Sequence, residues 1–170
     1  MALREIVTLP NPVLRRKARK VTEFGAELQT LIDDMVETMR VAPGVGLAAP
    51  QVNVSQQVIV VEFGNEEDEN APKKLYILVN PTIAKLSKET VMGVEGCLSI
   101  PGIVGEVERA EKALITGQNR RGQPVKIKAE GWLARIFQHE IDHLNGVLYV
   151  DKATRLWQQK DEDEEVPAAD

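Results

Sequence analysis

The chain contains only two histidines, His139 and His143, and they lie four residues apart in the segment QHEIDH at 138–143. On an α-helix, residues i and i+4 lie on the same face, so both imidazoles can reach one metal ion. Glu140 follows the first histidine closely enough to act as a general base rather than as a ligand. The segment therefore predicts a helix that carries a metal site.

The third metal ligand has to come from elsewhere in the chain. A catalytic site of this kind needs three protein ligands and one open position. Cys97, the only cysteine, follows Gly96, which permits close backbone approach. A single free cysteine is more often a small buried apolar residue, but here the helix lacks a ligand, so we predict Cys97 with His139 and His143. The alternative is a carboxylate of Glu162, Glu164 or Glu165. These residues belong to the terminal acidic run, where a rigid ligand is not expected.

A glycine-containing segment, GVGLAAPQ at 44–51, carries further information. Taken alone it is weak evidence, because a tight turn before a strand looks the same. It lacks the lysine of a phosphate-binding loop and the spacing of a dinucleotide fingerprint. Its glycines would let the backbone run beside an extended peptide, and Gln51 could donate a hydrogen bond to a developing oxyanion.

Taken together, GVGLAAPQ at 44–51, EGCLS at 95–99 and QHEIDH at 138–143 resemble the three signature motifs of peptide deformylases. The resemblance extends from the segment VTLPNPVL at 7–14 to about Val150. A peptide deformylase is a metallo-hydrolase that removes the formyl group from the N-terminal formylmethionine of nascent polypeptides and releases formate. The order and separation of the motifs make this resemblance highly specific.

The resemblance implies one metal ion per chain, typically ferrous iron, which zinc, nickel or cobalt can replace. Its ligands would be Cys97, His139 and His143. The residues implied in catalysis are Glu140 as general acid and base, Gln51 and the backbone N–H of Leu98 as the oxyanion hole, and Gly46 as a backbone contact to the substrate.

The resemblance also implies a pocket for the methionine side chain. It would be lined by Val45, Leu98, Trp132, Ile136 and the alkyl stem of Arg135. The expected partners are N-formylmethionyl peptides and the ribosome near its exit tunnel. Some family members carry a basic C-terminal helix thought to aid ribosome docking, whereas this chain ends in an acidic run, so docking by that route is not expected.

Composition limits the kinds of protein that the chain can be. At 170 residues, the chain is long enough for one domain, which we place at residues 1–160, with a disordered acidic tail at 161–170. The net charge of −5 argues against nucleic-acid binding, and a solvated surface is the favoured interpretation of the basic cluster at 15–20. No membrane span or signal peptide is expected. A thiolate ligand fits a reducing cytoplasm.

Periodicity predicts an α+β fold, with antiparallel strands around a central metal-binding helix and an outer N-terminal helix. Apolar residues recur at helical spacing over about 25–40. The metal helix should begin near Gly131, be mostly buried, and end in a left-handed cap at Gly146. Strands rich in branched residues are predicted at 57–63, 75–79, 103–107, 113–118 and 124–128, with a polar hairpin loop at 64–72 and a turn at 119–122.

Two rival functions remain open at this point. One is an endopeptidase with the same helix and a third ligand from the tail, which would give Cys97 and Gln51 no role. The other is a non-catalytic protein with a structural metal, although structural sites normally have four protein ligands. Outside the motifs, Arg109 is either a partner that holds Glu95 or an ordinary surface arginine, and Asp142 either accepts a hydrogen bond or faces solvent.

Overall fold

The computed structural model describes residues 2–64 and 70–159. The acidic tail and residues 65–69 of the predicted loop lie outside these ranges. The described residues form two helices and eight strands, together with a short third helix and two 3-10 turns. In chain order these are α1 (Ala26–Val41), β1 (Gly46–Ala48), β2 (Val58–Phe63), β3 (Lys74–Leu86), β4 (Thr90–Cys97), β5 (Ile100–Ala110), β6 (Lys112–Gln118), β7 (Pro124–Glu130), α2 (Gly131–Leu144), α3 (Tyr149–Lys152) and β8 (Ala153–Gln158).

The larger sheet has five antiparallel strands in the order β1-β2-β3-β6-β7. The β2–β3 pairing closes the predicted hairpin, with Phe63 opposite Lys74. The turn predicted at 119–122 joins β6 to β7, where Gly122 N–H donates to the Asn119 carbonyl at 3.0 Å. β1 forms one edge of this sheet and ends close to the glutamine of the first motif.

The smaller sheet has three antiparallel strands in the order β4-β5-β8. β4 and β5 form a hairpin whose turn is Leu98-Ser99, with Cys97 opposite Ile100. The pairing shifts register between Gly96 and Cys97, so the second motif occupies the end of an edge strand. This arrangement fixes the cysteine at the tip of a tight hairpin.

Helix α2 lies at the centre of the molecule, as predicted. It contacts strands of both sheets, and ten of its fourteen residues are buried. Its apolar side chains share one core with β2, β3 and β6, including Ile136 and Phe137, both 0% exposed. Because packing on several sides fixes this helix, the side chains that it presents to the site are held rigidly.

Helix α1 packs outside the larger sheet and carries a second core cluster. Its periodic apolar residues bury against β1 and β2, and Ile32, Met35 and Met39 are each 0% exposed. The predicted α+β class with an outer N-terminal helix is therefore confirmed. Within the ranges described, no helix combines the length and apolarity needed to cross a membrane.

Candidate active site

Cys97, His139 and His143 come together as the sequence predicted. One potential ligand atom from each lies within 4.8 Å of the other two. Cys97 Sγ and His143 Nε2 are 3.5 Å apart, and the two imidazole centroids are 5.1 Å apart. All three residues are buried, with exposures of 5%, 2% and 1%. The set of one thiol and two imidazoles suits a divalent transition metal.

Glu95 orients the first of these histidines. Its Oε1 lies 2.9 Å from His139 Nδ1. Burial by itself would raise the pKa of Glu95, but hydrogen bonds from Arg109 and His139 outweigh burial and hold that pKa well below its usual range. An ionised carboxylate only accepts hydrogen bonds, so His139 Nδ1 carries the proton. The Nε2 lone pair is therefore the one directed to a metal.

Arg109 is the partner of Glu95 rather than a surface arginine. It donates twice to the carboxylate, from Nε at 2.9 Å and from Nη2 at 2.8 Å, and only 2% of its side chain is exposed. Burial would lower the pKa of Arg109, but the hydrogen bond and charge of Glu95 raise that pKa further above its usual range. The pair ties the strand that carries Cys97 to β5.

Asp142 extends this ion-pair network to the C-terminal part of the chain. Its Oδ2 accepts from Arg109 Nη1 at 2.6 Å and lies 3.0 Å from Lys152 Nζ. Asp142 therefore accepts hydrogen bonds, one of the two roles left open by the sequence. The network connects α2 with β5 and α3.

Arg135 adds a second guanidinium to Glu95. Its Nη1 donates to Glu95 Oε2 at 2.6 Å and to the Val107 carbonyl at 3.0 Å, while Nη2 donates to the Val91 carbonyl at 2.7 Å. These hydrogen bonds hold the guanidinium in the protein interior, and only 2% of the Arg135 side chain is exposed. Its Cζ also lies 5.5 Å from the centroid of the Trp132 ring.

The residues implied in catalysis lie on β1, on α2 and in the segments next to Cys97. Glu140, between the two histidines on α2, is 0% exposed. Gln51 is also 0% exposed, and its Nε2 lies 3.7 Å from Cys97 Sγ. Leu98 follows Cys97 directly in the hairpin turn. Gly46 begins the edge strand β1, opposite Val61.

Three of the residues implied in the methionine pocket belong to one apolar cluster. Ile136 is 0% exposed, and Val45 and Trp132 are partly buried against the same cluster. Leu98 is half-buried at the hairpin turn. Apolar residues from α2 and from the segment before β1 therefore share one cluster.

Three further residues support the site without having been assigned a role from the sequence. Gln138 clamps α2 to β5, because its amide accepts from Ala110 N–H at 3.1 Å and donates to the Ala110 carbonyl at 2.9 Å. Tyr149 stacks on His139 with 6.0 Å between ring centroids. Ser99 contacts Gln51. Gln138 directly precedes His139 and Ser99 lies two residues after Cys97, so their places in the motifs were the available signal. Tyr149 had none.

Two surface grooves lie away from this cluster. One, of about 690 Å³, is lined by the start of α1 and the segments before and after it, and the other, of about 800 Å³, by residues 85–89, 112–114 and 128–130. Neither lining includes Cys97, His139 or His143. The candidate site is therefore identified by its thiol and two imidazoles, and not by the size of a cavity.

Comparisons with known proteins agree with this geometry. A family model described as polypeptide deformylase matches residues 3–159. A curated peptide deformylase of Symbiobacterium thermophilum is 52% identical over 170 residues, covering 100% of this chain and 76% of the relative. One from Halothermothrix orenii is 50% identical over 159 residues, covering 94% and 99%.

Solved structures give the same result. The crystal structure of peptide deformylase from Thermotoga maritima matches with a TM-score of 0.84 and 42% identity, covering 91% of this chain and 100% of that one. The Ehrlichia chaffeensis enzyme in complex with actinonin matches with a TM-score of 0.84 and 38% identity, covering 91% of each chain. The chain therefore belongs to the polypeptide deformylase family, the hydrolases that remove the N-formyl group from nascent peptides.

Proposed function

We propose that this chain hydrolyses the formyl amide at a metal centre held by Cys97, His139 and His143. The observation that carries the proposal is the convergence of these three donors within 4.8 Å in a buried site. Three protein donors leave a position open, which is typical of catalytic rather than structural sites. A divalent ion there supplies Lewis-acid chemistry, because it polarises a carbonyl and lowers the pKa of a water molecule.

Glu140 moves the proton in this proposal. Its carboxylate accepts one proton from the attacking water as the oxygen adds to the formyl carbon. The same carboxyl group then delivers that proton to the amine nitrogen as the C–N bond breaks. The products are formate and the free amino terminus of the peptide. Burial of Glu140 at 0% exposure keeps the transfer away from bulk water.

Gln51 and the backbone N–H of Leu98 stabilise the negative charge that develops on the formyl oxygen. Both belong to segments that meet at Cys97, since Gln51 Nε2 lies 3.7 Å from its sulfur and Leu98 is the next residue. Removing one such donor typically lowers kcat by about 10²–10³-fold. Gly46, on an edge strand, offers backbone groups to an extended peptide.

The methionine side chain is proposed to lie against Val45, Leu98, Trp132, Ile136 and the stem of Arg135. The half-buried Val45 and Trp132 provide an apolar rim, and Ile136 lies in the core beneath it. An unbranched apolar side chain fits such a surface. The formyl carbon carries only hydrogen, so a narrow site accepts it while excluding an acetyl methyl group.

The test replaces Glu140 with glutamine. Glu140→Gln should retain one metal ion per chain, while formate release from formyl-Met-Ala-Ser falls by about 10²–10⁴-fold because proton transfer is lost. The control is Glu130→Gln at the start of the same helix, where 77% of the side chain is exposed; wild-type turnover is expected. Wild-type turnover by Glu140→Gln, or loss of its metal, would contradict the proposed role.

We propose ferrous iron as the resident ion, because the family resemblance implies it. We propose the cytoplasm as the compartment, because a buried thiolate ligand needs reducing conditions to persist. Metal analysis of protein purified anaerobically tests the ion, and zinc as the main occupant would contradict it.

We also propose that residues 1–160 form one domain and that the enzyme works near the ribosomal exit tunnel, where its substrate emerges. Co-sedimentation with ribosomes tests that contact, and complete absence from the pellet would count against it.

A further inference from the structure

The side-chain amide of Gln51 is fixed at its oxygen end. Gln51 Oε1 accepts from the backbone N–H of Ala48 at 2.9 Å, and both residues are 0% exposed. A backbone N–H can only donate, so the amide oxygen has to face Ala48. The NH₂ group must therefore point in the opposite direction, toward the second motif.

The NH₂ group meets two acceptors there. Gln51 Nε2 lies 3.1 Å from Ser99 Oγ and 3.7 Å from Cys97 Sγ. A hydroxyl oxygen is a stronger acceptor than sulfur, so Ser99 is the partner that fixes the angle of the amide plane. Ser99 is 0% exposed, and water therefore does not compete for this hydrogen bond.

The backbone around Ser99 is anchored by the N-terminal segment. Leu9 N–H donates to the Ser99 carbonyl at 3.1 Å, and Val7 N–H donates to the Gln51 carbonyl at 2.8 Å. The N-terminal segment thus contacts both motifs, the first through Val7 and the second through Leu9. The hydroxyl of Ser99 is held in a fixed place relative to the amide that it contacts.

We propose that Ser99 is a positioning residue that sets the orientation of the Gln51 amide. The inference rests on the proposed role of Gln51 as an oxyanion donor. With one N–H held by Ser99 Oγ, the remaining N–H keeps a single direction within the site. Without the hydroxyl, only the hydrogen bond from Ala48 and the weaker one to Cys97 Sγ restrain rotation about the terminal torsion, and a misdirected donor stabilises developing charge poorly.

The test is a double-mutant cycle on formyl-Met-Ala-Ser hydrolysis. Ser99→Ala should lower kcat by roughly tenfold to a hundredfold with little change in KM and with unchanged metal content. In a Gln51→Ala background, the same Ser99→Ala change should have almost no further effect, because its target is gone. Ser99→Thr, which keeps the hydroxyl, should recover part of the loss. The control is Ser87→Ala, which removes a hydroxyl with two hydrogen bonds on an exposed turn.

The outcomes distinguish a failure of the positioning role of Ser99 from a failure of the oxyanion role of Gln51. A reduced rate for Gln51→Ala with an equal Ser99→Ala effect in both backgrounds would overturn only the positioning role of Ser99. Wild-type kcat for Gln51→Ala would overturn the oxyanion role and the positioning role with it.

A measurement on the unmodified protein avoids any folding defect of the variants. Hydrogen exchange of the Gln51 side-chain amide should be slow at one N–H, compared with the side chain of the exposed Gln56. Exchange as fast as that of Gln56 would overturn the inference, whether or not Ser99→Ala folds.

Discussion

Glu95 is a charged residue at 0% exposure, and three donors surround its carboxylate. Arg109 and Arg135 contribute two positive charges, and His139 donates from Nδ1. Burying a carboxylate is costly unless it is paired and hydrogen-bonded. The arrangement meets that condition, and in doing so it fixes the ring orientation of His139, a candidate metal ligand.

Replacing Glu95 should therefore weaken metal binding. Glu95→Gln removes the charge and leaves two guanidinium groups buried without their anion, so stability should fall by about 3–5 kcal/mol. Replacing the carboxylate behind His139 by a neutral amide, which is a weaker acceptor, should lower metal affinity by about 10–100-fold. Chelator competition and urea unfolding measure the two effects. Glu106→Gln on β5, beside the exposed Arg155, is the control and should change both values little; wild-type affinity in Glu95→Gln would refute the role.

At the residue scale, the three candidate ligands could be predicted because their chemistry is concentrated in short motifs. His139 and His143 share one helical turn, and Cys97 is the only cysteine. The support of Glu95 by Arg135 was not predicted, because these residues are 40 positions apart. Only the packing of α2 against β4 brings them together.

At the scale of secondary-structure elements, Gly146 decides how the metal helix ends. It has a φ of +74°, the left-handed region that favours glycine. Its N–H donates to the His143 carbonyl at 3.1 Å. A Cβ at this position would lie 2.6 Å from the Arg15 carbonyl oxygen. The left-handed cap was predicted from the sequence, whereas the close approach of Arg15 was not.

Gly146→Ala should lower the free energy of unfolding by more than the cost of placing alanine in a left-handed conformation. Gly102 is a matched control, because its φ is +80° and, apart from Gly102 and its two chain neighbours, no atom of the described residues lies within 4 Å of the Cβ position. Gly102→Ala should cost about 1 kcal/mol, and Gly146→Ala at least about 1 kcal/mol more. Urea unfolding of both variants gives the comparison. Equal losses of unfolding free energy in the two variants would contradict the prediction, because they would mean that the Arg15 backbone moves aside without a measurable cost.

The predicted helices and five of the strands are confirmed, whereas β1, β4 and β8 were not predicted. β1 has only three residues, too few for a periodic signal. β4 contains Gly93 and Gly96, which lower strand propensity. A side chain at Gly93 would require the Arg135 guanidinium to shift, because its Cβ would lie 2.7 Å from Arg135 Cζ. This requirement comes from tertiary contact and leaves no local pattern in the sequence.

The contact between the N-terminal segment and α1 should depend on pH through Asp34. Asp34 accepts from Ala2 N–H at 2.8 Å and from Arg4 Nε at 2.9 Å. The backbone hydrogen bond from Ala2 is the largest cause that lowers the pKa of Asp34, against the opposing effect of burial. Its stabilisation is therefore complete above the unfolded pKa of about 3.9 and is lost as pH falls through the lower folded value.

Asp34→Asn tests this dependence. The variant should lose roughly 1 kcal/mol of unfolding free energy at pH 7, and the difference from wild type should shrink as pH falls below about 4. Urea unfolding between pH 3 and 7 measures it. Asp33→Asn, which alters an exposed pair with Arg120, is the control for removing a surface charge on α1. A difference that stays constant with pH would contradict the assignment.

At the scale of the whole molecule, the candidate metal site joins the two sheets. Cys97 belongs to the smaller sheet, and the two histidines lie on α2, which packs against the larger one. An ion bound by all three would therefore link parts of the fold that are distant in sequence. Binding to the native state alone stabilises it by mass action, by about 2.7 kcal/mol when the free ion is at 100 times its Kd.

Removal of the metal should lower the melting temperature of the wild-type protein. Chelator treatment of the loaded enzyme, followed by thermal unfolding with and without added ion, measures the shift. Cys97→Ala should melt at the same temperature under both conditions, because it cannot hold the ion. A metal-dependent shift in Cys97→Ala as large as that of wild type would exclude the cysteine as a ligand.

The central claim is that Cys97, His139 and His143 hold the ion on which deformylation depends. The most direct test measures formate release from formyl-Met-Ala-Ser and metal content on the same anaerobic sample. Wild type should contain about one ion per chain and release formate. Cys97→Ala, His139→Ala and His143→Ala should each lose metal and activity together. A stoichiometric ion in Cys97→Ala, or turnover by any of the three without metal, would contradict the account.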